Sequence, residues 1–169
     1  MNGARRGKVD VDRFPGGEDA TVSDDHVVQT TVALDGNGTC IAEARRLSAE
    51  FLVRAQVEHG LSVSQRAKDV TQLVVSELVT NARKYAPGPV LMELRIVDGS
   101  VEVVVCDSEP TLPVASAADA GRIGRHGLEI VMAVAHGFDA QPTPLGKRVT
   151  ARIALANEPE STLSDVRAV

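Results

Sequence analysis

A carboxylate and a carboxamide stand four residues apart in an otherwise apolar stretch of this sequence. Glu77 and Asn81 lie in segment 74–82, VVSELVTNA, and helical spacing puts both side chains on one face, one turn apart. An amide oxygen can ligate Mg²⁺ while a neighbouring carboxylate orients a water or a hydroxyl group. Burial without a partner would cost on the order of 2 kcal/mol for such groups. The pair therefore predicts a polar site, and the alternative is a helix edge that faces water.

A third acidic residue ends a run of β-branched residues. Asp107 follows segment 101–106, VEVVVC, and is followed by Ser108, Glu109 and Pro110. A carboxylate at the end of a buried strand can accept a hydrogen bond from an amino group such as that of adenine. The alternative is an aspartate that forms a turn before serine and proline.

Three glycines and three basic side chains precede a predicted helix. Segment 121–127 has the sequence GRIGRHG, in which Gly124 and Gly127 would let backbone amides approach an anion at the helix start. Arg122 and Arg125 could hold phosphate oxygens. The Gly-Lys-Ser/Thr ending of a P-loop is absent, and a flexible linker is the alternative interpretation.

Hydrophobic periodicity predicts the elements that would position these groups. Helices are predicted at 39–59, 64–86 and 127–136, and strands at 26–34, 90–97, 101–107, 138–140 and 149–155. Ser64 is expected to begin the second helix, Gly60 and Gly137 to end the first and third, and Asp98-Gly99 to form a hairpin turn. An irregular stretch at 108–126 has a length that usually carries function. This order predicts an α+β fold, a two-layer α/β sandwich with a mixed, mostly antiparallel sheet and helices on one face.

Size and charge limit the classes of function. A chain of 169 residues with 43% hydrophobic and 24% charged residues is typical of one soluble globular domain. A net charge of −5 and 2% aromatic residues argue against direct binding of nucleic acid. No apolar run approaches the length of a membrane span, and no cysteine motif suggests zinc, so a cytoplasmic protein without a membrane anchor is predicted. We expect a flexible leader at 1–25, the domain at 26–156 and a flexible tail at 157–169.

Together these motifs resemble those of the GHKL ATPase superfamily, whose histidine-kinase-like Bergerat fold is shared with gyrase. Within it, the chain looks like the anti-sigma factor serine/threonine kinases and related ATP-binding regulators. The resemblance covers roughly residues 26–155. Segment 76–82 is similar to the N box of the family, segment 105–108 to the first glycine box and segment 124–131 to the second.

The resemblance implies a role for individual residues around ATP and Mg²⁺. Glu77 would be the catalytic carboxylate, Asn81 would coordinate the Mg²⁺ that bridges the phosphates, and Asp107 would bind the adenine amino group. Residues 108–126 would form a mobile lid over the nucleotide. The triphosphate would be held by Gly124, Arg125, Gly127 and Leu128.

Two departures from the family pattern concern the adenine site. Ser108 and Glu109 stand where the superfamily often has glycine after the aspartate, and Arg148 stands where relatives commonly have a threonine that contacts the adenine site.

The resemblance implies a regulator of transcription. As a serine/threonine kinase, the protein would phosphorylate a STAS-type anti-anti-sigma partner and otherwise sequester a sigma factor. The alternative is a non-catalytic module of the same fold that switches partners by protein contacts alone. Relatives often form homodimers, and the sequence leaves the oligomeric state open.

Overall fold

The computed structural model describes residues 28–86, 88–113 and 126–157. The predicted leader at 1–25 and nearly all of the predicted tail lie outside these ranges, as does most of the predicted lid. The strands are β1 (Gln29–Leu34), β2 (Val90–Val97), β3 (Ser100–Asp107), β4 (Gly137–Thr143) and β5 (Gly146–Ala154). The helices are α1 (Cys40–His59), α2 (Gln65–Tyr85) and α3 (His126–Val134).

The strands form one sheet in the order β1-β2-β3-β5-β4. Every strand pair in the described ranges is antiparallel, so the sheet contains none of the parallel pairing that a mixed sheet would have there. The predicted α+β class with two layers is confirmed.

Two glycine-containing turns form where the sequence predicts them. Gly60 ends α1 in the left-handed region at φ 64°, and its N–H donates to the Ala55 carbonyl. Asp98 and Gly99 have φ values of 49° and 70°, as the two central residues of a type I′ hairpin turn require. These local signals fix the end of one helix and the register between β2 and β3.

One face of the sheet packs against the helices. Val101, Val103 and Val105 alternate along β3, and each is at most 2% exposed. They share a core cluster with residues of the other strands and of the helices, including Met92, Leu94, Ala151, Ile153, Phe51, Leu52, Val74, Leu78 and Val131. All three helices therefore cover the same side of the sheet.

Helix α3 is shorter than the sequence predicts. It ends at Val134, and Gly137, which was expected to end the helix, begins β4. The His136 N–H donates to the Arg152 carbonyl at 3.0 Å, so the chain is already bound to β5 at that point. Pairing with β5 therefore replaces the last predicted helical turn.

Helix α2 begins at the end of the sheet that carries the β2–β3 turn. The Ser64 hydroxyl oxygen caps the helix by accepting from the Ala67 N–H at 3.0 Å. The Ser64 N–H donates to the Leu155 carbonyl at 2.8 Å, and the Leu155 N–H donates to the Gly99 carbonyl at 3.0 Å. The start of α2 is thereby attached to the end of β5.

The same helix ends at the opposite end of the sheet. Gly88, shortly after α2, lies beside Ser108, since a Cβ added to Gly88 would stand 3.8 Å from the Ser108 Oγ. Ser108 directly follows Asp107, the last residue of β3. The half of α2 that carries Glu77 and Asn81 therefore runs toward the sheet end where Asp107 lies.

The second face of the sheet carries a charge cluster around Glu102. This residue is only 4% exposed, and its carboxylate accepts hydrogen bonds from Nε of Arg95 and, at 2.6 Å, from Nε of Arg152. Burial alone would raise the pKa of Glu102. The hydrogen bonds from Arg152 and Arg95 outweigh it, so the pKa lies below its ordinary value.

Acid is expected to weaken the fold through Glu102. Because its pKa is lower in the folded than in the unfolded chain, its stabilisation is complete above the unfolded pKa, about 4.3, and is lost as pH falls through the folded value. Glu102→Gln should cost about 2 kcal/mol at neutral pH and remove this part of the acid dependence. Denaturant unfolding from about pH 3 to pH 7 would measure both effects.

The matched control is Glu50→Gln, which removes an exposed ion pair with Arg46 and should leave the acid slope almost unchanged. An acid slope in Glu102→Gln equal to that of the wild type would contradict the assignment.

Candidate functional site

The Glu77 carboxylate lies against the first turn of α3. A Cβ added to Gly127 would collide with Oε2 of Glu77 and stand 3.2 Å from its Cδ. Any residue larger than glycine would therefore have to displace the carboxylate. This contact joins the middle of α2 to the start of α3, where the sequence places the second glycine box.

Glu77 and Asn81 share the exposed edge of an otherwise buried helix face. Both side chains are half-buried, and within the described ranges neither takes part in a hydrogen bond or an ion pair. One helical turn, roughly 6 Å of rise, separates them. A carboxylate and an amide oxygen are thus free to contact a ligand at the side of α2 that meets α3.

Asp107, in contrast, is already engaged by the protein. Its Oδ1 accepts a hydrogen bond from Nζ of Lys147 at 3.0 Å and another from the Glu109 N–H at 2.9 Å. The Asp107 and Lys147 side chains are each 2% exposed. The Lys147 ammonium also donates to the Glu109 carbonyl at 3.2 Å. The result is a buried ion pair at the position where the resemblance expects adenine to bind.

Gly146 allows this pair to form. Its φ of 151° is rarely adopted by any other residue, and a Cβ there would stand 2.7 Å from the Ser108 Cα and 2.8 Å from the Asp107 carbonyl carbon. The start of β5 therefore touches the end of β3, and Lys147 falls directly opposite Asp107 in the register.

Arg148, the departure in the last strand, does not lie beside Asp107. Arg148 is paired with Cys106, and successive residues of a strand face opposite sides of the sheet. Its Nη2 lies 3.9 Å from Oε2 of Glu93 on the face away from the helices. Lys147 occupies the place beside Asp107 instead.

Ser108 and Glu109, the other departure from the family pattern, do lie at Asp107. Beyond the Glu109 N–H that binds the carboxylate, the Thr111 N–H donates to Oε1 of Glu109 at 3.1 Å. Hydrogen bonds from Thr111 lower the pKa of the Glu109 carboxyl. Where the superfamily often has a glycine, this chain thus has a turn held by its own side chains.

The other predicted site residues fall into two groups. Gly124 and Arg125 lie outside the described residues. Leu128 is half-buried and packs against the core, one helical turn from the fully buried Val131. The contribution of these three predicted residues to a triphosphate site stays a prediction.

Lys147 is the residue that sequence reasoning missed. The last strand was predicted to begin at residue 149, which left Gly146 and Lys147 in a turn. The observed strand begins at Gly146. Continuing the β3–β5 register by two residues toward the turn would have placed Lys147 opposite Asp107.

The described ranges contain neither a cluster of metal-binding side chains nor a helix that could span a membrane. No group of three or more His, Cys, Asp or Glu residues there could hold a metal ion. A magnesium ion would therefore depend on ligands such as the Asn81 amide and phosphate oxygens. Nor does any helix in that part of the chain have the length and apolar character needed to cross a membrane.

Among solved structures, the chain is similar to the crystal structure of the RsbU and RsbW domains of Rv1364c from Mycobacterium tuberculosis. The TM-score is 0.58 and the identity 15%, and the match covers 77% of this chain and 33% of the other. The likeness shows a GHKL-type fold. The chain thus corresponds to about a third of the length of that structure. No protein-family model and no curated protein sequence matches it.

At this level of identity the GHKL-type fold is established, and function has to be argued from the residues. Glu77 and Asn81 have no hydrogen-bond or ion-pair partner in the described ranges, and the missing Cβ of Gly127 lets the Glu77 carboxylate lie against the start of α3. These features fit a nucleotide phosphate with Mg²⁺. At the adenine end, an adenine amino group would have to share the Asp107 carboxylate with Lys147.

Proposed function

We propose that this chain is an ATP-binding anti-sigma factor-type regulator. In this proposal it phosphorylates a serine or threonine of a STAS-type anti-anti-sigma partner, and in its other state it sequesters a sigma factor. The observation that carries the proposal is the contact of the Glu77 carboxylate with Gly127 at the start of α3. This contact unites two of the three family motifs in a GHKL-type fold.

Glu77, Asn81 and the first turn of α3 each have a chemical role in the proposed reaction. Glu77 accepts the proton of the partner's hydroxyl group, whose oxygen forms the new bond to phosphorus as the bond to ADP breaks. The Asn81 amide oxygen ligates Mg²⁺. Free backbone N–H groups in the first turn of α3 favour phosphate oxygens near Gly127. When bound, ATP supplies the phosphoryl group, and Mg²⁺ compensates its negative charge.

Asn81→Ala is expected to abolish Mg²⁺-dependent ATP binding, with a loss of affinity on the order of 100-fold, and to leave the fold intact. The reason is that alanine removes the proposed metal ligand, while the side chain makes no hydrogen bond in the described ranges whose loss would weaken the fold. Calorimetric titration with ATP, with and without Mg²⁺, would measure the effect. Thr80→Ala, at the exposed neighbouring residue, is the matched control.

Unchanged affinity of Asn81→Ala for Mg²⁺-ATP would remove the basis of the assignment. Transfer itself requires a separate measurement, in which radiolabelled phosphate is followed from ATP to a co-purified STAS-type partner. Labelled serine or threonine on the partner would support kinase activity.

A second candidate function is favoured by the buried Lys147–Asp107 pair. A module in which this carboxylate is already held in a buried ion pair would bind adenine nucleotides weakly and could act by protein contacts alone. Tight binding of the partner without phosphate transfer would support this candidate over the kinase. Homodimerisation, which relatives often show and the sequence leaves open, stays untested in both cases.

A further inference from the structure

The Lys147 ammonium group lies at the adenine end of the proposed site. Nζ of Lys147 lies 3.0 Å from Oδ1 of Asp107, and both side chains are almost completely buried. The ammonium group is held a second time by the Glu109 carbonyl. The contact is therefore a fixed part of the folded chain, between two strands whose register sets the residues opposite each other.

We propose that Lys147 determines the base specificity of this site by holding the Asp107 carboxylate to which an adenine amino group would donate its hydrogen bond. The inference rests on the proposed nucleotide binding and deepens it. It has two consequences: the wild-type protein binds adenine nucleotides weakly, and it discriminates little between adenine and a purine without the amino group.

The difference between the two donors decides the direction of the effect. Both donors would form a charge-assisted hydrogen bond to the carboxylate, but only the ammonium group also brings a positive charge that neutralises it. An adenine amino group would have to displace this donor from a buried carboxylate, and breaking a buried pair leaves a charge without its partner. Recognition of the amino group is therefore offset by the loss of the Lys147 contact.

Removal of the lysine reverses the situation. In Lys147→Met, the Asp107 carboxylate keeps the Glu109 N–H but loses its charged donor. A bound adenine amino group can then supply the missing hydrogen bond, whereas hypoxanthine, with a carbonyl at that position, cannot. The substitution should therefore raise affinity for ADP while leaving that for IDP nearly unchanged.

The experiment compares ADP and IDP, each with Mg²⁺, by calorimetry on the wild type and on Lys147→Met. We expect the wild type to bind both nucleotides within about threefold of each other, and Lys147→Met to bind ADP about tenfold or more tighter than IDP. Arg148→Met is the matched control, because this cation is adjacent in the chain but lies on the other face of the sheet. Its two affinities should equal those of the wild type.

Three outcomes would overturn the inference. A wild type that prefers ADP over IDP by tenfold or more overturns it even if Lys147→Met fails to fold, and the proposed function then stands. If a folded Lys147→Met binds ADP no more tightly than the wild type does, the inference is likewise overturned and the proposed function stands. If neither the wild type nor the variant binds either nucleotide, nucleotide binding itself fails, and the proposed function fails with the inference.

Discussion

Gly146→Ala is expected to destabilise the fold by on the order of 4 kcal/mol, a large effect for one methyl group. Two costs add. The φ of 151° lies in a region that alanine adopts only with strain, and the added Cβ would collide with backbone atoms of Asp107 and Ser108. These backbone atoms cannot relieve the collision by rotating to another rotamer, as a side chain could. The strand β5 would therefore have to move away from β3.

Chemical denaturation of Gly146→Ala would measure this loss, with two glycine controls. At Gly99, with φ 70°, a Cβ would meet nothing within 4 Å, so Gly99→Ala should cost only the backbone conformation, about 1 kcal/mol. At Gly36 neither cost applies, and Gly36→Ala should change stability by less than about 0.5 kcal/mol. A Gly146→Ala variant as stable as Gly36→Ala would show that the strand ends are not in contact.

The same contact links stability to the site. Gly146 lets β5 begin one residue beyond the end of β3 in the antiparallel register, and this places Lys147 against Asp107. A substitution at this contact that destabilises the fold less than Gly146→Ala would change the distance between the Lys147 ammonium and the Asp107 carboxylate without unfolding the chain. The adenine end of the site is therefore set by backbone packing as well as by side-chain chemistry.

Local signals were sufficient to predict much of the framework. The Ser64 cap, the Gly60 terminator and the Asp98-Gly99 turn each act within a few residues, and each forms as expected. Helix α2 could be located from its apolar periodicity, so the common face of Glu77 and Asn81 was predictable.

Features that depend on contacts between distant segments could not be predicted in the same way. The collision between a Cβ at Gly127 and the Glu77 carboxylate depends on how α3 packs on α2, which periodicity does not specify. The start of β5 at Gly146 follows from pairing with β3, since Gly146 and Lys147 have little strand propensity of their own. This is why the sequence left Lys147 in a turn and did not place it beside Asp107.

The Glu102 cluster illustrates the same limit on the other face of the sheet. Its two arginine partners come from β2 and β5, on either side of β3. From the sequence, a glutamate at that position of β3 is an ordinary exposed residue of an alternating strand. Its burial becomes apparent only when the three strands are aligned.

Gly127→Ala is expected to abolish phosphoryl transfer, by about 100-fold or more, while the free energy of unfolding stays within about 1 kcal/mol of the wild type. The methyl group would meet the far end of the Glu77 side chain, which can rotate away at little cost. Alanine in the first turn of α3 also favours the helix. A Cβ at Gly146 should strongly destabilise the fold. A Cβ at Gly127 should only displace the carboxylate of the proposed base, Glu77.

A compensating change separates this explanation from a general defect of α3. Glu77→Asp shortens the side chain by one methylene and withdraws the carboxylate from Gly127, so it should reduce transfer on its own. Combined with Gly127→Ala, it should cost less than the sum of the two single effects, because the shorter side chain leaves room for the methyl group. Transfer to the partner, measured for all four proteins, gives the coupling energy. Additive losses would mean that the carboxylate and the glycine act independently, and the contact that carries the proposed function would then have no part in it.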